Sequence, residues 1–225
     1  MLAGLRAVIF DFDYTLADSA RGAIDCINSA FGGMGLPAAS DEAICRTIGM
    51  SLSAAYERLT GDSRRDRAAE FAGLFIRRAG EVMVDKTVVF ETVKPTITLL
   101  KQQGLRLGIV STKYRFRIEE ILRREGLLNY FDVIVGGEDV PVHKPDPAGL
   151  LSAIERLACS PAEALYVGDA LADAETAGRA NIAFIATLSG VTPREAFNSF
   201  RVHSFISSLL ELPGQLGSLW SAVGT

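Results

Sequence analysis

Cysteine and lysine are both scarce in this 225-residue chain, which has three cysteines, Cys26, Cys45 and Cys159, and five lysines. The cysteines are odd in number, widely spaced and without a Cys-x-x-Cys pair, so neither a disulfide framework nor a zinc site is implied, and a reducing compartment fits. The two histidines, His143 and His203, read as surface-loop residues. An excess of positive charge is also missing. The formal net charge is -4, and the basic cluster Arg64-Arg65-Asp66-Arg67 is interrupted by an acid, so no nucleic-acid partner is expected. No apolar run approaches a membrane span, and the one ending at Phe10 is cut at once by Asp11. A soluble cytoplasmic protein with no membrane partner is the expectation. There is no internal repeat, low-complexity tract or heptad pattern, which leaves monomer and homodimer both open.

Apolar content, by contrast, is ample at 48%, enough for one full core and a smaller inserted one. Val8-Ile9-Phe10 is β-favouring and apolar throughout, as in a buried parallel strand, and it breaks into Asp11-Phe12-Asp13-Tyr14-Thr15-Leu16. Residues from about 19 to 78 then read as helices, with a strand only at Thr87-Val88-Val89-Phe90. One helix runs through Ile24, Ile27 and Phe31 to Gly32-Gly33. Another is capped by Ser40 with Asp41 and Glu42 in its first turn, a third follows Ser51, and a fourth carries Phe71, Leu74 and Phe75. From Pro95 the pattern turns regular: helix to Gln103, strand Leu105 to Val110, helix Phe116 to Arg124, strand Val133 to Val135. Helix Pro147 to Leu157, strand Leu165 to Val167, helix Leu171 to Arg179 and strand Ile182 to Ile185 continue it. Such alternation predicts an α/β fold with a doubly wound parallel sheet and right-handed crossovers. A closing helix over Phe205 to Leu210 and a mobile tail from Pro213 are expected.

Polar clusters follow these strands on one edge of the sheet, where open α/β sheets place their chemistry. They are Asp11 to Thr15; Ser111-Thr112-Lys113; His143-Lys144-Pro145-Asp146, ahead of a helix; and Gly168-Asp169 with Asp173 one helical turn on. Together they suit phosphoryl transfer through an enzyme carboxylate. A carboxylate attacks an anionic phosphate poorly unless cations offset the repulsion. Asp11 is then the nucleophile. Asp13 protonates the leaving oxygen and afterwards deprotonates water. Asp169 ligates a hard cation such as Mg²⁺, and Asp173 completes or orients that shell. Lys144 neutralises the phosphoryl charge, and the Ser111 hydroxyl contacts its oxygens. Lys113 and Arg115 read either as ligands for a second anionic group or as a solvated helix face. Arg46 reads as a surface charge.

The four clusters, in this order, resemble those of the haloacid dehalogenase superfamily of phosphohydrolases, over nearly the whole chain. The stretch Asp11 to Ser19 is most similar to the phosphoglycolate phosphatase-like and pyrophosphatase-like branches. The resemblance implies a Rossmann-like core of strand order 3-2-1-4-5 or its extension, residues 1–16 and 93–225, with an all-helical cap inserted at 17–92 and hinges near Ala17 and Val93. It implies a phosphoric monoester hydrolase. Asp11 is nucleophile and metal ligand, Asp13 is acid/base with its backbone carbonyl on the metal, and Asp169 is a further ligand with Asp173 beside it. Ser111, Thr112 and Lys144 are the phosphate-binding set. Two positions depart from the family pattern: Tyr14 replaces a usual glycine and Thr112 a common asparagine.

The expected activity is Mg²⁺-dependent hydrolysis of a small phosphorylated metabolite, with phosphoglycolate first. Inorganic pyrophosphate, a nucleotide or a sugar phosphate follow, then a β-phosphoglucomutase-like mutase reaction. A carbon–halogen dehalogenase is disfavoured because Asp13 is an acid for an oxygen leaving group. A phosphonate hydrolase needs a lysine in the insertion, and only Lys86 lies between Leu16 and Glu91. A catalytically silent binding module is the reading from another class; loss of turnover in Asp11→Asn separates it from an enzyme.

Overall fold

The computed structural model describes residues 4–221. In chain order its elements are β1 (Ala7–Phe10), β2 (Ala17–Asp18), α1 (Ala20–Gly33), α2 (Asp41–Cys45), α3 (Leu52–Thr60), α4 (Arg65–Val82) and β3 (Val88–Val89). There follow α5 (Val93–Gln102), β4 (Arg106–Val110), α6 (Arg115–Arg124), β5 (Val133–Val135), α7 (Ala148–Arg156), β6 (Ala164–Gly168), α8 (Leu171–Arg179), β7 (Ala183–Thr187), β8 (Ser204–Ile206) and α9 (Leu212–Ser221). Among the described residues the chain divides into two compact units. One runs to Leu16 and resumes at Val89; the other is Ala17–Val88.

The first unit is a six-stranded parallel sheet flanked by helices, in the order β5-β4-β1-β6-β7-β8. It is the Rossmann-like α/β fold, extended by a sixth strand. β1 lies inside the sheet and all four of its residues are buried. It therefore reads as an unbroken apolar run rather than an alternating one. Ala7 and Ile9 pack with Leu150, Ile154 and Ala177 from α7 and α8, alongside Tyr166 and Phe184 of neighbouring strands. The register places Phe10 opposite Ile109 on one side and Val167 on the other, so the strands β4, β1 and β6 end level with one another. The strand order reverses at β1, the position where such sheets open a crevice at their carboxyl edge.

The second unit is a helical bundle whose core is Ile27, Phe31, Ile44, Tyr56 and Phe71. The Phe71 ring lies 5.7 Å from Phe31, 5.5 Å from Tyr56 and 6.1 Å from Phe75, centroid to centroid. The Ser40 and Ser51 hydroxyls accept from Ala43 and Ala54 N–H, which stops α2 and α3 at their predicted starts. Gly61 ends α3 with φ +72. Asp25 on α1 receives Arg78 and Lys86, joining the two long helices by charge as well as by packing. β2 pairs with β3 in a separate two-stranded sheet.

Two expectations need correction. Phe205 is in β8, paired with β7, and Leu209–Glu211 is a single 3-10 turn, so no helix spans 205–210. Residues from Pro213 to Ser221 belong to α9; a proline in the first turn removes an N–H that has no partner there anyway. Residues 222–225 of the anticipated tail lie outside the described part. The two compact units divide between Val88 and Val89, and the Phe90 N–H donates to the Leu16 carbonyl at 3.0 Å. Among the described residues no helix is long and apolar enough to cross a membrane.

Candidate active site

The carboxyl ends of β1, β4 and β6 carry Asp11, Ser111 and Asp169, while Lys144 comes from the segment between β5 and α7 and Asp173 from the first turn of α8. The Asp11 N–H donates to the Val167 carbonyl at 2.8 Å and the Ser111 N–H to that of Val135 at 3.0 Å, so each loop leaves the sheet from a hydrogen-bonded strand end. Beyond Asp11 the chain turns tightly, Leu16 N–H donating to the Phe12 carbonyl at 2.8 Å. Tyr14 takes φ +58 in this turn. That left-handed backbone is the reason glycine suits the position, and a tyrosine holds it at a cost of about 1 kcal/mol. The Ser189 hydroxyl donates to the Tyr14 carbonyl and supports the turn.

Lys144, its side chain only 5% exposed, is the centre of the charge network. Its Nζ lies 2.9 Å from Asp11 Oδ1 and 2.6 Å from Asp173 Oδ1, and donates to the Tyr166 hydroxyl at 3.2 Å. That hydroxyl also lies 3.1 Å from the Val110 carbonyl and 3.0 Å from Asp173 Oδ1, with one proton to share between them. Asp173 is fully buried, and its Oδ2 accepts the Ala170 N–H at 3.0 Å. Asp169 Oδ1 accepts from the Thr15 hydroxyl at 3.2 Å. Burial first, opposed by Lys144 and reinforced by the Asp173 charge, raises the Asp11 carboxyl to about 6. Burial, then the charges of Asp173 and Asp11, pushes Asp169 well above the carboxylate range. Burial alone would lower Lys144, but Asp11 and Asp173 outweigh it and hold the ammonium well above its ordinary value.

These observations suit a divalent cation. One carboxylate oxygen each from Asp11, Asp169 and Asp173 lie within 4.8 Å of one another, all three residues buried. Asp11 Oδ1 is fully buried and meets Lys144 as an ion pair at 2.9 Å. With all four buried acids, Asp11, Asp13, Asp169 and Asp173, ionised against the two ammonium groups Lys113 and Lys144, two negative charges would be in excess, a charge that a bound cation would offset. Oxygen ligands of this kind prefer a hard ion.

The structure brings Asp11, Lys144, Asp169 and Asp173 together, with Asp13 on the same turn as Asp11. Asp13 is paired with Lys113, whose Nζ lies 3.0 Å from Asp13 Oδ1. Lys113 is thus no solvated helix residue: its side chain is 8% exposed. Arg115 differs, being held outside by Asp139 at 3.0 Å and Glu119 at 3.1 Å. Ser111 is buried but does not cap α6, which begins at Arg115. Its hydroxyl accepts from Lys113 N–H at 3.3 Å, and Glu138, remote in sequence, takes the capping role by accepting from Arg115 N–H at 2.8 Å and Phe116 N–H at 3.4 Å. Thr112 sits half-buried in the same loop. Arg46 is exposed and pairs with Glu42.

Sequence reasoning missed Tyr166, Ser189, Gly190 and Glu138. Tyr166 reads as an ordinary strand aromatic, and nothing local marks its hydroxyl as a lysine acceptor. Gly190 packs so close that a β-carbon there would fall 2.0 Å from Asp169 Oδ2. A glycine just beyond a strand end was a weak available signal of such close backbone approach.

Residues 8–187 match the family model described as haloacid dehalogenase-like hydrolase. The phosphoglycolate phosphatase of Escherichia coli K12 is 30% identical over 95% of this chain and 93% of its own length. A crystal structure from Bacteroides fragilis, assigned to the haloacid dehalogenase-like hydrolases, is 44% identical with a TM-score of 0.90, covering 92% of this chain and 99% of that one. A structure from Clostridium acetobutylicum, 21% identical over 94% and 98% of the two chains, shares the fold with a TM-score of 0.87. With the sheet, the strand-end acids and the buried lysine in the same order as the motifs, the chain belongs to the haloacid dehalogenase-like hydrolases and is a phosphatase-type enzyme of that family.

Proposed function

We propose that this chain is a Mg²⁺-dependent phosphatase that cleaves phosphate from a small phosphorylated metabolite, phosphoglycolate first among candidates, through an aspartyl phosphate (an acyl phosphate) of Asp11. The observation that carries this reading is the meeting of Asp11 with Lys144, Asp169 and Asp173 at the end of the buried central strand. In it, a carboxylate oxygen of Asp11 bonds to phosphorus while the bond to the leaving oxygen breaks and Asp13 delivers a proton to that oxygen. Asp13 then takes a proton from water, the water oxygen bonds to phosphorus, and the bond to Asp11 breaks, releasing phosphate and restoring both acids. Lys144 neutralises the transferred group, with Ser111 and Thr112 of the β4 loop as its further contacts. Mg²⁺ would be held by Asp11 and Asp169, with the Asp13 carbonyl as a further ligand, and would offset the charge between the nucleophile and the phosphoryl oxygens. Asp173, with both oxygens engaged by Lys144, Tyr166 and Ala170, orients the lysine and closes the ligand set from behind. The helical unit takes the role of the cap and the parallel-sheet unit that of the catalytic core.

The match to phosphoglycolate phosphatases over most of both chains supports the substrate. The test is phosphate release from phosphoglycolate with Mg²⁺ or with chelator, in the native protein and in Asp11→Asn. Turnover that needs the metal and disappears in the variant supports the reading; turnover that survives in Asp11→Asn overturns the role of Asp11. Hydrolysis of other phosphate esters but not phosphoglycolate overturns the substrate alone.

A further inference from the structure

We propose that Lys113 selects the leaving group: its ammonium binds a negative charge carried by the group from which phosphate is cleaved. The preferred substrates are then phosphate compounds whose leaving group is itself an anion, a carboxylate or a second phosphate. This deepens the proposed function and rests on its assignment of Asp13 as the leaving-group acid.

The two lysines of the site divide the work by position. Lys144 stands beside Asp11, and its Nζ is already engaged by Asp11, Asp173 and the Tyr166 hydroxyl. It belongs to the transferred phosphoryl group. Lys113 stands beside Asp13, 3.0 Å from its Oδ1. An ammonium has three N–H donors, and among the described residues Asp13 is the one carboxylate within ion-pair distance of this one. Donors left over on a buried cation favour an anion over a neutral group.

Backbone geometry holds Lys113 there. Its N–H donates to the Ser111 hydroxyl at 3.3 Å, and its carbonyl accepts from Gly137 N–H at 3.1 Å. A β-carbon on Gly137 would lie 2.4 Å from the Thr112 carbonyl oxygen, so the loop rests directly on the chain beyond β5. An acid must come within about 3 Å of the oxygen it protonates. The Lys113 ammonium, a further hydrogen-bond length on, then lies within about 6 Å of that oxygen. A carboxylate one carbon removed, or a phosphate directly attached, spans that gap. Arg115 cannot serve instead, since Asp139 and Glu119 occupy its guanidinium.

The test compares phosphoglycolate, pyrophosphate and 2-hydroxyethyl phosphate, the last with a neutral alcohol leaving group, in native protein, Lys113→Gln and Lys113→Arg with Mg²⁺ present. The native enzyme should favour at least one of the two anionic compounds over the neutral one by about tenfold or more in kcat/KM. Lys113→Gln should lose about 10- to 100-fold more on that compound than on the neutral ester, the difference lying mostly in KM, and Lys113→Arg should restore part of it. Whichever anionic compound suffers the larger loss identifies the charge as carboxylate or phosphate. No preference in the native enzyme, or an equal loss on all three compounds in Lys113→Gln, overturns the inference and leaves Lys113 as a partner of Asp13 only. Calorimetric titration with phosphonoacetate, methylenediphosphonate and methylphosphonate reads the same preference without turnover. If the native protein hydrolyses nothing yet binds the doubly anionic phosphonates through Lys113, the phosphatase reading falls and takes the leaving-group role with it, leaving Lys113 as an anion ligand alone. Equal binding of all three by native protein and Lys113→Gln overturns the inference whatever the turnover shows.

Discussion

Replacing Gly190 by alanine adds one methyl group at the most crowded point of the site. The new carbon would lie 2.0 Å from Asp169 Oδ2, 2.8 Å from Cγ and 3.1 Å from Cβ. Carbon and carboxylate oxygen need about 3 Å or more between them, so either the loop after β7 or the Asp169 carboxylate must retreat by about 1 Å. The carboxylate has little freedom to do so: it is buried, and its other oxygen accepts from the Thr15 hydroxyl at 3.2 Å. Turning it breaks that bond, at about 1 kcal/mol. A misplacement near 1 Å at a reacting centre costs about 100-fold in rate. Gly190→Ala is therefore expected to lower Mg²⁺ affinity and kcat/KM by about 100-fold each while lowering stability by about 1–3 kcal/mol. Gly178 in α8 is the control, since a β-carbon there meets nothing within 4 Å. Gly178→Ala should gain about 0.5–1 kcal/mol of stability with activity unchanged. Calorimetric Mg²⁺ titration, phosphate release and thermal melts on both variants separate the effects. A Gly190→Ala protein with native Mg²⁺ affinity and native turnover would refute the claim that this loop fixes the Asp169 carboxylate.

Three further outcomes are expected. Tyr166→Phe removes the hydroxyl that Lys144 donates to and leaves the Val110 carbonyl short of a partner; a loss of about 1–3 kcal/mol in a denaturant melt and a roughly tenfold lower kcat follow. Asp25 is held by Arg78 and Lys86, whose hydrogen bonds bring its carboxyl down to about 2 from 3.8. Because the folded value is depressed, this contribution is complete above about pH 4 and is lost as the pH falls through 2. Asp25→Asn should lower the melting temperature at neutral pH by about 2–4 °C and flatten the acid limb between pH 4 and 2, measured by circular dichroism. Phe71→Ala opens a cavity among Phe31, Tyr56 and Phe75 and should destabilise the helical unit by about 3–5 kcal/mol, read as loss of cooperative unfolding there by hydrogen exchange.

Short-range pattern carried much of this molecule. The run Val8-Ile9-Phe10 followed by acids, the alternation of strand and helix from Pro95 onward, and the caps at Ser40 and Ser51 are each local signals whose physics acts within a few residues. The carboxyl-edge position of Asp11, Ser111 and Asp169 follows from them, because a parallel strand and its crossover put every strand end on the same side. The C-terminal region shows the limit. Ser204–Ile206 is a strand because β7 is there to pair with it, and a three-residue edge strand carries no period of its own.

The sequence by itself determined the α/β class, the helical insertion and the acids and lysines available for chemistry, since these depend on residue type and near-neighbour spacing. Only the tertiary structure decided that Lys144 lies against Asp11, Asp173 and Tyr166, that Lys113 turns inward to Asp13 while Arg115 stays outside, and that Gly190 backs Asp169. A charged side chain is buried only where a partner from a distant segment offsets its desolvation. That partner is chosen by strand order and register, which no single segment of the chain contains.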